Sequence, residues 1–380
     1  MAHFLESLVL SISDPRDTKS VKYAFQEILF LSITAVICGA NGPSSIAVFG
    51  ENCISWLRQY YPYNNGVPSH DTINRVLSKI GIRQFEQAFY EWVKNTFNIP
   101  AQLQLAIDGK KISRSAKKAA QQLKKEEGGQ FAELIINAYI PGLCIALGQV
   151  NEGESQSEVA GAMKLIEMLD LQGICVSADA GFLGKELINK IVDKGGDYLM
   201  TLKAKSPNVF AAVSKAFETL DLENNEVPID EKENGHGRTM TRAFSLIDIE
   251  KVEDEQARLF YRNAQQIVRV IRHHKPIGKK EKVSTHYYIT SLKADLTKIK
   301  TVIRSHWSVE NNLHHTLDVI FKEDDLAAQV NNLSNNLSLI RKVALNLLTA
   351  HHGTRGVKQR RFSAGLNESV RNTLINSIMR

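Results

Sequence analysis

The apolar positions of residues 1–100 recur at the spacing of α-helices. In the segment 23–40 they follow each other every three or four residues, and the segment closes on Gly39. Further helices are predicted over 46–61, 66–80 and 83–97. The second of these begins at Ser69 or Asp71, which are both good helix caps. Two interpretations of this helical domain stay open: a helix-turn-helix-like unit that binds DNA, or a bundle that packs on the next domain.

From Leu103 the pattern changes to short apolar runs between polar breaks, which is typical of β-strands. Runs of this kind occupy 103–107, 133–140 and 143–150. The last two frame a turn at Pro141-Gly142 and predict a hairpin. Helical segments at 157–171 and 185–195 then alternate with apolar runs at 173–179 and 197–203. This order predicts an α/β domain with a mixed sheet flanked by helices.

The helical rhythm fades between Pro207 and about Lys293, where strands with charged turns are predicted instead. Helices resume over 295–321 and 335–350. We therefore predict three parts. They are a helical domain over 1–100, an α/β domain over 101–350 with a β-rich insertion at about 207–293, and a basic tail over 351–380.

Three acidic residues stand in settings that suit metal binding. Asp108 and Asp179 each follow an apolar run, and we expect both at the carboxyl ends of strands, where α/β sheets bind ligands. Glu310 lies in a helical segment far downstream. Carboxylates from two strand ends and one helix can surround a pair of divalent ions, Mg²⁺ or Mn²⁺. An Asp after a strand is also a common turn or cap residue, so the pattern alone leaves that alternative open.

The helix of Glu310 has a second feature. On a regular α-helix His306, Glu310, His314 and Asp318 are spaced by four and should share one face. Apolar residues such as Leu313 form a competing stripe, so we expect the helix to be half-buried, with its polar face against water or a specific partner.

Positive charge is concentrated in two places. The formal net charge is +6 at pH 7. Residues 109–125 contain no carboxylate and seven cations, namely Lys110, Lys111, Arg114, Lys117, Lys118, Lys124 and Lys125. The tail from His351 holds Arg355, Lys358, Arg360, Arg361, Arg371 and Arg380 against Glu368. We expect both stretches to hold phosphates of a polyanionic partner.

Cysteine spacing and hydropathy indicate the cellular compartment of the protein. The four cysteines are scattered without CxxC pairs, which is typical of a reduced intracellular protein. The most apolar run, Ile28–Ala40, is too short to span a bilayer, and the N-terminus lacks the features of a cleavable signal. We therefore expect a cytoplasmic protein without a membrane partner.

Several segments together resemble a known family. They are DGKK at 108–111, LGQV at 147–150, DKGGDYLMTLK at 193–203, GHGR at 235–238, YYITSL at 287–292 and HWSVENNLHHTLDVIFKED at 306–324. The N-terminal segments DPRD, CGA and VPSHDTINRVL belong to the same pattern. In this order they resemble the H-repeat-associated, ISAs-type DDE transposases of bacterial insertion sequences and their associated N-terminal domain. The resemblance covers nearly the whole chain.

The resemblance implies a ribonuclease-H-like catalytic domain with a DDE triad of Asp108, Asp179 and Glu310. It further implies two Mg²⁺ or Mn²⁺ ions and strand cleavage and transfer on double-stranded DNA, both at terminal inverted repeats and at a target. A homo-oligomer on DNA is expected because two DNA ends must be brought together. The chain departs from the family after Asp179, where Ala-Gly-Phe-Leu stands, and after Lys203, where Ala-Lys-Ser stands.

The same resemblance suggests residues for DNA contact. Arg304 and His306 would hold phosphate or the flanking strand near Glu310. Arg238 in the GHGR turn would contact DNA, unless this segment is simply a hairpin turn that needs glycine. Two other functions remain as alternatives: a nuclease of the same fold that cuts without joining, and a catalytically inactive, transposase-derived DNA-binding regulator.

Overall fold

The computed structural model describes residues 5–17, 21–100, 102–112, 133–152, 157–203, 206–223, 229–235, 238–278, 280–325, 332–351 and 355–376. The chain forms two compact units. Unit 1 contains Met1–Ile99, Gly109–Ser157 and Ser308–Arg380. Unit 2 contains Pro100–Asp108 and Glu158–Trp307.

The N-terminal part of unit 1 is helical, as predicted. It consists of α1 Glu6–Ser11, α2 Phe25–Ile37, α3 Pro43–Leu57, α4 His70–Lys79 and α5 Ile82–Thr96. The hydroxyl of Ser69 accepts a hydrogen bond from the backbone N–H of Thr72, which makes Ser69 the N-cap of α4. Nearly every residue of α2 is buried, so this helix lies in the middle of the unit rather than at its surface.

A long helix from the C-terminal part of the chain completes this core. Helix α12, Leu333–Ala350, packs against α2, α4 and α5 and is buried along most of its length. The strands β2, Glu133–Ile140, and β3, Ile145–Asn151, form the predicted hairpin, and β3 also packs on α12. This packing fits the bundle interpretation of the N-terminal helices.

The basic C-terminal segment differs from the expected tail. It folds into α13, Val357–Leu366, and α14, Glu368–Asn376. The buried guanidinium of Arg361 donates hydrogen bonds to the carbonyls of Val36, Ala40 and Ile320 at 3.0, 2.7 and 2.6 Å. The guanidinium of Arg371 is also buried, with its carbon 5.1 Å from the ring centroid of Trp56. Both side chains therefore stabilise the packing inside unit 1 instead of extending towards phosphates.

Close packing of α13 can be tested at Gly365. An added Cβ there would lie 2.8 Å from the backbone carbonyl oxygen of Cys38, whereas one at Gly356 would meet nothing within 4 Å. In a helix, replacing Gly with Ala normally raises the free energy of unfolding by about 1 kcal/mol. We expect Gly365→Ala to reverse this sign and to lower the free energy of unfolding by about 1–3 kcal/mol, because overpacking costs that much. Urea unfolding of the natural protein and of Gly365→Ala would check it; an unchanged or raised free energy of unfolding in the variant would contradict the docking of α13.

Unit 2 is built on a mixed sheet. Its strands are β1 Gln104–Ile112, β4 Cys175–Ala178, β5 Asp197–Leu202, β6 Ile229–Gly235, β7 Arg238–Asp248, β8 Gln266–Pro276 and β9 Lys282–Thr290. They lie in the order β1-β4-β5-β9-β8-β7-β6. The first three are parallel, and the others are antiparallel to their neighbours. Strand β1 continues past Asp108 and ends at Ile112.

The segment at about 207–293, which is predicted as a β-rich insertion, differs from this prediction in two ways. It begins with a helix, α8 Pro207–Glu223, because Val209, Val213 and Phe217 are spaced by four and bury one face. Its strands do not form a separate sheet, since β9 pairs with β5 and so continues the sheet of unit 2.

The remaining helices of unit 2 are α6 Glu158–Met168, α7 Lys185–Asp193, α9 Glu255–Arg258 and α10 Leu296–His306. Helix α10 covers one face of the sheet, where Ile299 and Val302 share a buried cluster with Leu199, Val268 and Tyr288. The mixed α/β class predicted for this part of the chain is confirmed. In the described ranges, none of the helices combines the length and the apolar character needed to cross a membrane.

Candidate functional site

Two of the predicted acidic residues are neighbours across β1 and β4. The parallel register pairs Ile107 with Ala178. Asp108 is the next residue of β1, and Asp179 is the first residue after β4. Neighbouring strands are spaced by about 4.8 Å, so the backbone places the two residues near each other within unit 2.

The position of Asp108 differs from the expected strand end. Strand β1 runs from Gln104 to Ile112, so Asp108 is in its middle, whereas β4 stops at Ala178 and Asp179 follows it directly. In the sequence, the polar residues after Asp108 predict that the strand ends there. Backbone hydrogen bonds of a sheet do not require apolar side chains, and β1 continues through them.

The carboxylate of Asp179 has 59% of its side-chain surface exposed. The hydroxyl of Thr201 donates to its Oδ1 at 3.4 Å. Nε2 of His306 lies 3.7 Å from the same oxygen. Burial lowers the pKa of His306, and the nearby Asp179 acts in the opposite direction. Nδ1 of His306 faces Oγ of Ser177 at 3.0 Å. Both ring nitrogens of His306 thus face groups of the protein, and the predicted contact of His306 with DNA stays a prediction.

Cations share the electrostatic environment of Asp179. Burial lowers the pKa of His286, Arg272 and Lys203 lower it further, and Asp179 opposes them. Arg272 in β8 also stacks on the ring of Trp307 at 4.6 Å. Sequence reasoning missed these residues, because the order Arg269, Val270, Ile271, Arg272 in β8 does not alternate and so marks no polar face of the strand.

The pair of carboxylates fits the chemistry of a divalent cation. Hard cations such as Mg²⁺ take oxygen ligands, and water and substrate phosphate commonly complete the shell around one or two protein carboxylates. Within the described ranges, no group of three or more His, Cys, Asp or Glu residues is arranged to hold a metal ion. The described residues thus offer two carboxylates near each other in unit 2, and a divalent cation would need further ligands.

Glu310 is exposed and lies in unit 1. It belongs to a π-helical turn, Val309–His314, in which the backbone N–H of His315 donates to the carbonyl of Glu310. Turns of this i→i+5 kind occur mostly as single insertions in helices, frequently at functional sites. Helix α11, His315–Val319, follows the turn directly.

The polar residues expected on one face of this helix differ in their exposure to solvent. Glu310 faces solvent, but His314 is buried, with Nε2 3.2 Å from the amide of Asn137. Burial lowers the pKa of His314 to about 3, helped by Lys110 and Lys342. Asp318 is half-buried and bonds to Lys110. The stripe is therefore part interior and part surface.

Lys110 is the centre of a buried polar cluster in unit 1. Its ammonium donates to Asp318 and, at 2.6 Å, to Oε2 of Glu323. Glu323 in turn accepts a hydrogen bond from the hydroxyl of Ser338 at 2.7 Å. Nζ of Lys342 donates to Ser338 at 2.8 Å. We call these five residues the Lys110 cluster. The expectation that Lys110 contacts DNA phosphates is not met, because its charge is buried and paired inside the protein.

The Lys110 cluster makes stability depend on pH. Burial raises the pKa of Glu323, but Lys342, Lys110 and Arg341 together lower it to about 2. A carboxyl whose folded pKa is depressed stabilises the protein above its unfolded pKa, and this contribution is lost as pH falls through the folded value. A depression from 4.5 to about 2 corresponds to about 3 kcal/mol.

We therefore expect the stability difference between the natural protein and Glu323→Gln to narrow once pH falls below about 4.5. Urea unfolding of both proteins from pH 6.5 downwards measures it. A difference that stays constant down to pH 3 would show that Glu323 is not the titrating group.

The other predicted DNA contacts fall in different places. Lys111 and Arg304 are exposed. Arg114 lies outside the described residues. Strand β7 begins at Arg238, which pairs with Gly235 at the end of the antiparallel strand β6. The side chain of Arg238 is outside the described part of the chain.

Two family models match the chain. The model described as "DDE_Tnp_1-associated" matches residues 7–93. The model described as "Transposase DDE domain" matches residues 100–347. The boundary between the two matches coincides with the change from helical to strand spacing in the sequence.

Curated relatives cover almost the whole chain. The H repeat-associated protein YhhI of Escherichia coli K12 is 33% identical over 370 residues, which cover 95% of this chain and 92% of YhhI. YbfQ of the same organism, named an inactive transposase, is 46% identical over 66 residues, 17% of this chain and 79% of YbfQ. Among solved structures, a piggyBac transposase synaptic complex with hairpin DNA aligns with a TM-score of 0.45 at 10% identity, over 98% of this chain and 79% of that one.

Proposed function

Because the chain belongs to the DDE transposase family of the H repeat-associated proteins, we propose that it moves an insertion sequence by cutting and joining DNA. It would bind the terminal inverted repeats, cleave DNA strands at their ends and transfer the freed ends to a target. The partner is double-stranded DNA in both steps. Two ends must be held at once, so we propose a homo-oligomer on DNA.

The observation that supports this proposal is the parallel pairing of β1 and β4, in which Ile107 and Ala178, the residues before Asp108 and Asp179, are partners. Glu310 joins them as the third acidic residue on the family resemblance, and its exposed carboxylate is accessible to a ligand. The sheet of unit 2 is consistent with a ribonuclease-H-like domain, which we propose on the parallel strands β1, β4 and β5 with the antiparallel β9 beside β5.

The carboxylates would hold divalent ions, Mg²⁺ or Mn²⁺, and would not attack the DNA themselves. A pair of such ions, when bound, activates the attacking water or 3′-hydroxyl and stabilises the leaving oxygen. The protein's part is to fix the two carboxylates on rigid strands and to orient Asp179 through Thr201. Exposed cations, among them Lys111 and Arg304, would bind phosphates and make affinity for DNA salt-dependent.

The test is a strand-transfer assay with the full chain. Inverted repeats taken from DNA that flanks the coding frame are labelled and incubated with a supercoiled plasmid and Mg²⁺. A scrambled repeat and a reaction with EDTA serve as controls. Labelled plasmid that depends on both repeat and metal supports a transposase. Cleavage without joining would identify a nuclease instead, and repeat binding without metal-dependent cleavage would identify a DNA-binding regulator.

A further inference from the structure

The side chain of Gln104 in β1 has a fixed amide orientation. Its Nε2 lies 2.9 Å from the carbonyl oxygen of Val302, and a carbonyl can only accept, so this atom is the amide nitrogen. The same nitrogen donates to Oγ of Ser177 at 2.7 Å. The amide oxygen accepts from the hydroxyl of Ser305. Ser177 therefore receives a hydrogen bond from Gln104 and keeps its own proton for another acceptor.

Two acceptors compete for the hydroxyl proton of Ser177. Nδ1 of His306 is 3.0 Å away, and the carbonyl of Leu105 is 3.5 Å away. If the proton went to Leu105, Nδ1 of His306 would carry a hydrogen, and the lone pair of Nε2 would face the carboxylate of Asp179 at 3.7 Å. That arrangement is repulsive. Donation from Ser177 to Nδ1 instead places the ring proton on Nε2, where it attracts the carboxylate.

Both hydrogen-bond donors near Asp179 lie next to the same carboxylate oxygen, Oδ1. Thr201 and His306 approach Oδ1 at 3.4 and 3.7 Å. Hydrogen bonds at reacting groups are often long before substrate binds and tighten in the complex. With both donors at Oδ1, the lone pairs of Oδ2 stay available for a ligand.

We propose that His306 is a positioning residue. Held through Nδ1 by the Gln104–Ser177 pair, it presents Nε2–H to Asp179 and sets the orientation in which that carboxylate meets its metal ion. The inference rests on the proposed function and assigns His306 to the carboxylate rather than to DNA. Partners of this kind behind a metal ligand typically change metal affinity or activity by about 10–100-fold when they are removed.

The tautomer can be measured without metal or DNA. Long-range ¹H–¹⁵N correlation spectra of histidine-labelled protein at pH 8 report which ring nitrogen carries the proton, and His306 is assigned by its absence from His306→Gln. We expect the Nε2–H form in the natural protein and a smaller excess of this form in Ser177→Ala, which lacks the donor to Nδ1 but keeps the carboxylate of Asp179 near Nε2. A predominant Nδ1–H form in the natural protein would overturn the inference.

Two amide variants then test the role. The amide nitrogen introduced by His306→Gln reaches the place of Nε2, whereas the one introduced by His306→Asn reaches only the place of Nδ1. We expect His306→Gln to keep the Mg²⁺ or Mn²⁺ concentration for half-maximal cleavage within a few-fold. His306→Asn should raise that concentration by about 10–100-fold while its affinity for repeat DNA stays unchanged. Equal unfolding midpoints of the two variants confirm that both are folded.

The outcomes separate this inference from the proposed function. If the natural protein does not cleave DNA, the proposed function fails, and the tautomer measurement still decides how His306 is held. If it cleaves DNA and both variants keep the metal requirement, the positioning role fails alone. If both variants lose affinity for DNA with the metal requirement unchanged, His306 contacts DNA and the inference is wrong.

Discussion

Replacing Asp179 or Asp108 with Asn should lower the rate of DNA cleavage by about a thousandfold or more and leave binding of repeat DNA largely intact. The amide keeps the shape of the side chain but loses the negative charge that a divalent ion requires from its ligand. Metal ions contribute several kcal/mol to such reactions, and about 4 kcal/mol corresponds to a thousandfold in rate. Glu310→Gln should behave in the same way if it is the third ligand.

A matched control is Asp193→Asn in α7. It removes the same charge from the same unit, but Asp193 is exposed and pairs with Arg262 at the surface. Surface pairs of this kind contribute between 0 and about 1 kcal/mol to stability. Cleavage should therefore be unchanged in this variant. Single-turnover cleavage and DNA affinity are measured on all four variants. Full cleavage by Asp108→Asn or Asp179→Asn would remove the basis of the proposed site.

Local sequence signals predicted the elements that carry this pair. The apolar run before Asp179 predicts β4, and the run before Asp108 predicts the first half of β1, because buried strands need apolar side chains on both faces. That the two strands are neighbours, with Ile107 opposite Ala178, does not follow from local pattern. The pairing joins positions about seventy residues apart in the chain, and it depends on how the whole sheet assembles.

The exposed face of the helix that contains Glu310 could not be predicted from the sequence for a different reason. A spacing of four predicts one polar face only if every turn has the same number of residues. The π-helical turn at Val309–His314 changes that number once. His314 is then buried against Asn137, while Glu310 stays exposed. A single inserted residue in the hydrogen-bonding pattern leaves no recognisable mark in composition or periodicity.

Charge was least predictable where it is buried. Lys110 stands in a run of cations, which usually indicates a solvated surface. Its partners Asp318 and Glu323 are 208 and 213 residues further along the chain. Only the folded structure brings these residues together. The local excess of positive charge therefore wrongly predicts that this ammonium group lies at the surface.

Lys110→Met should therefore lower the free energy of unfolding by about 3–5 kcal/mol, which is the cost of removing one partner from a buried ion pair. Methionine has a similar length and no charge, so the main change is the loss of the ammonium group from Glu323, whose side chain is only 1% exposed. Lys111→Met is the matched control. It removes the same charge from the next residue of β1, where the side chain is exposed, and should change stability by less than about 0.5 kcal/mol.

Urea unfolding of both variants at pH 7 gives the two free energies. The double variant Lys110→Met with Glu323→Gln provides a further check, because removing both charges avoids an uncompensated carboxylate. It should be more stable than the sum of the single effects predicts, by about 0.5–3 kcal/mol of coupling. Equal stability of Lys110→Met and Lys111→Met would mean that Lys110 is solvated after all.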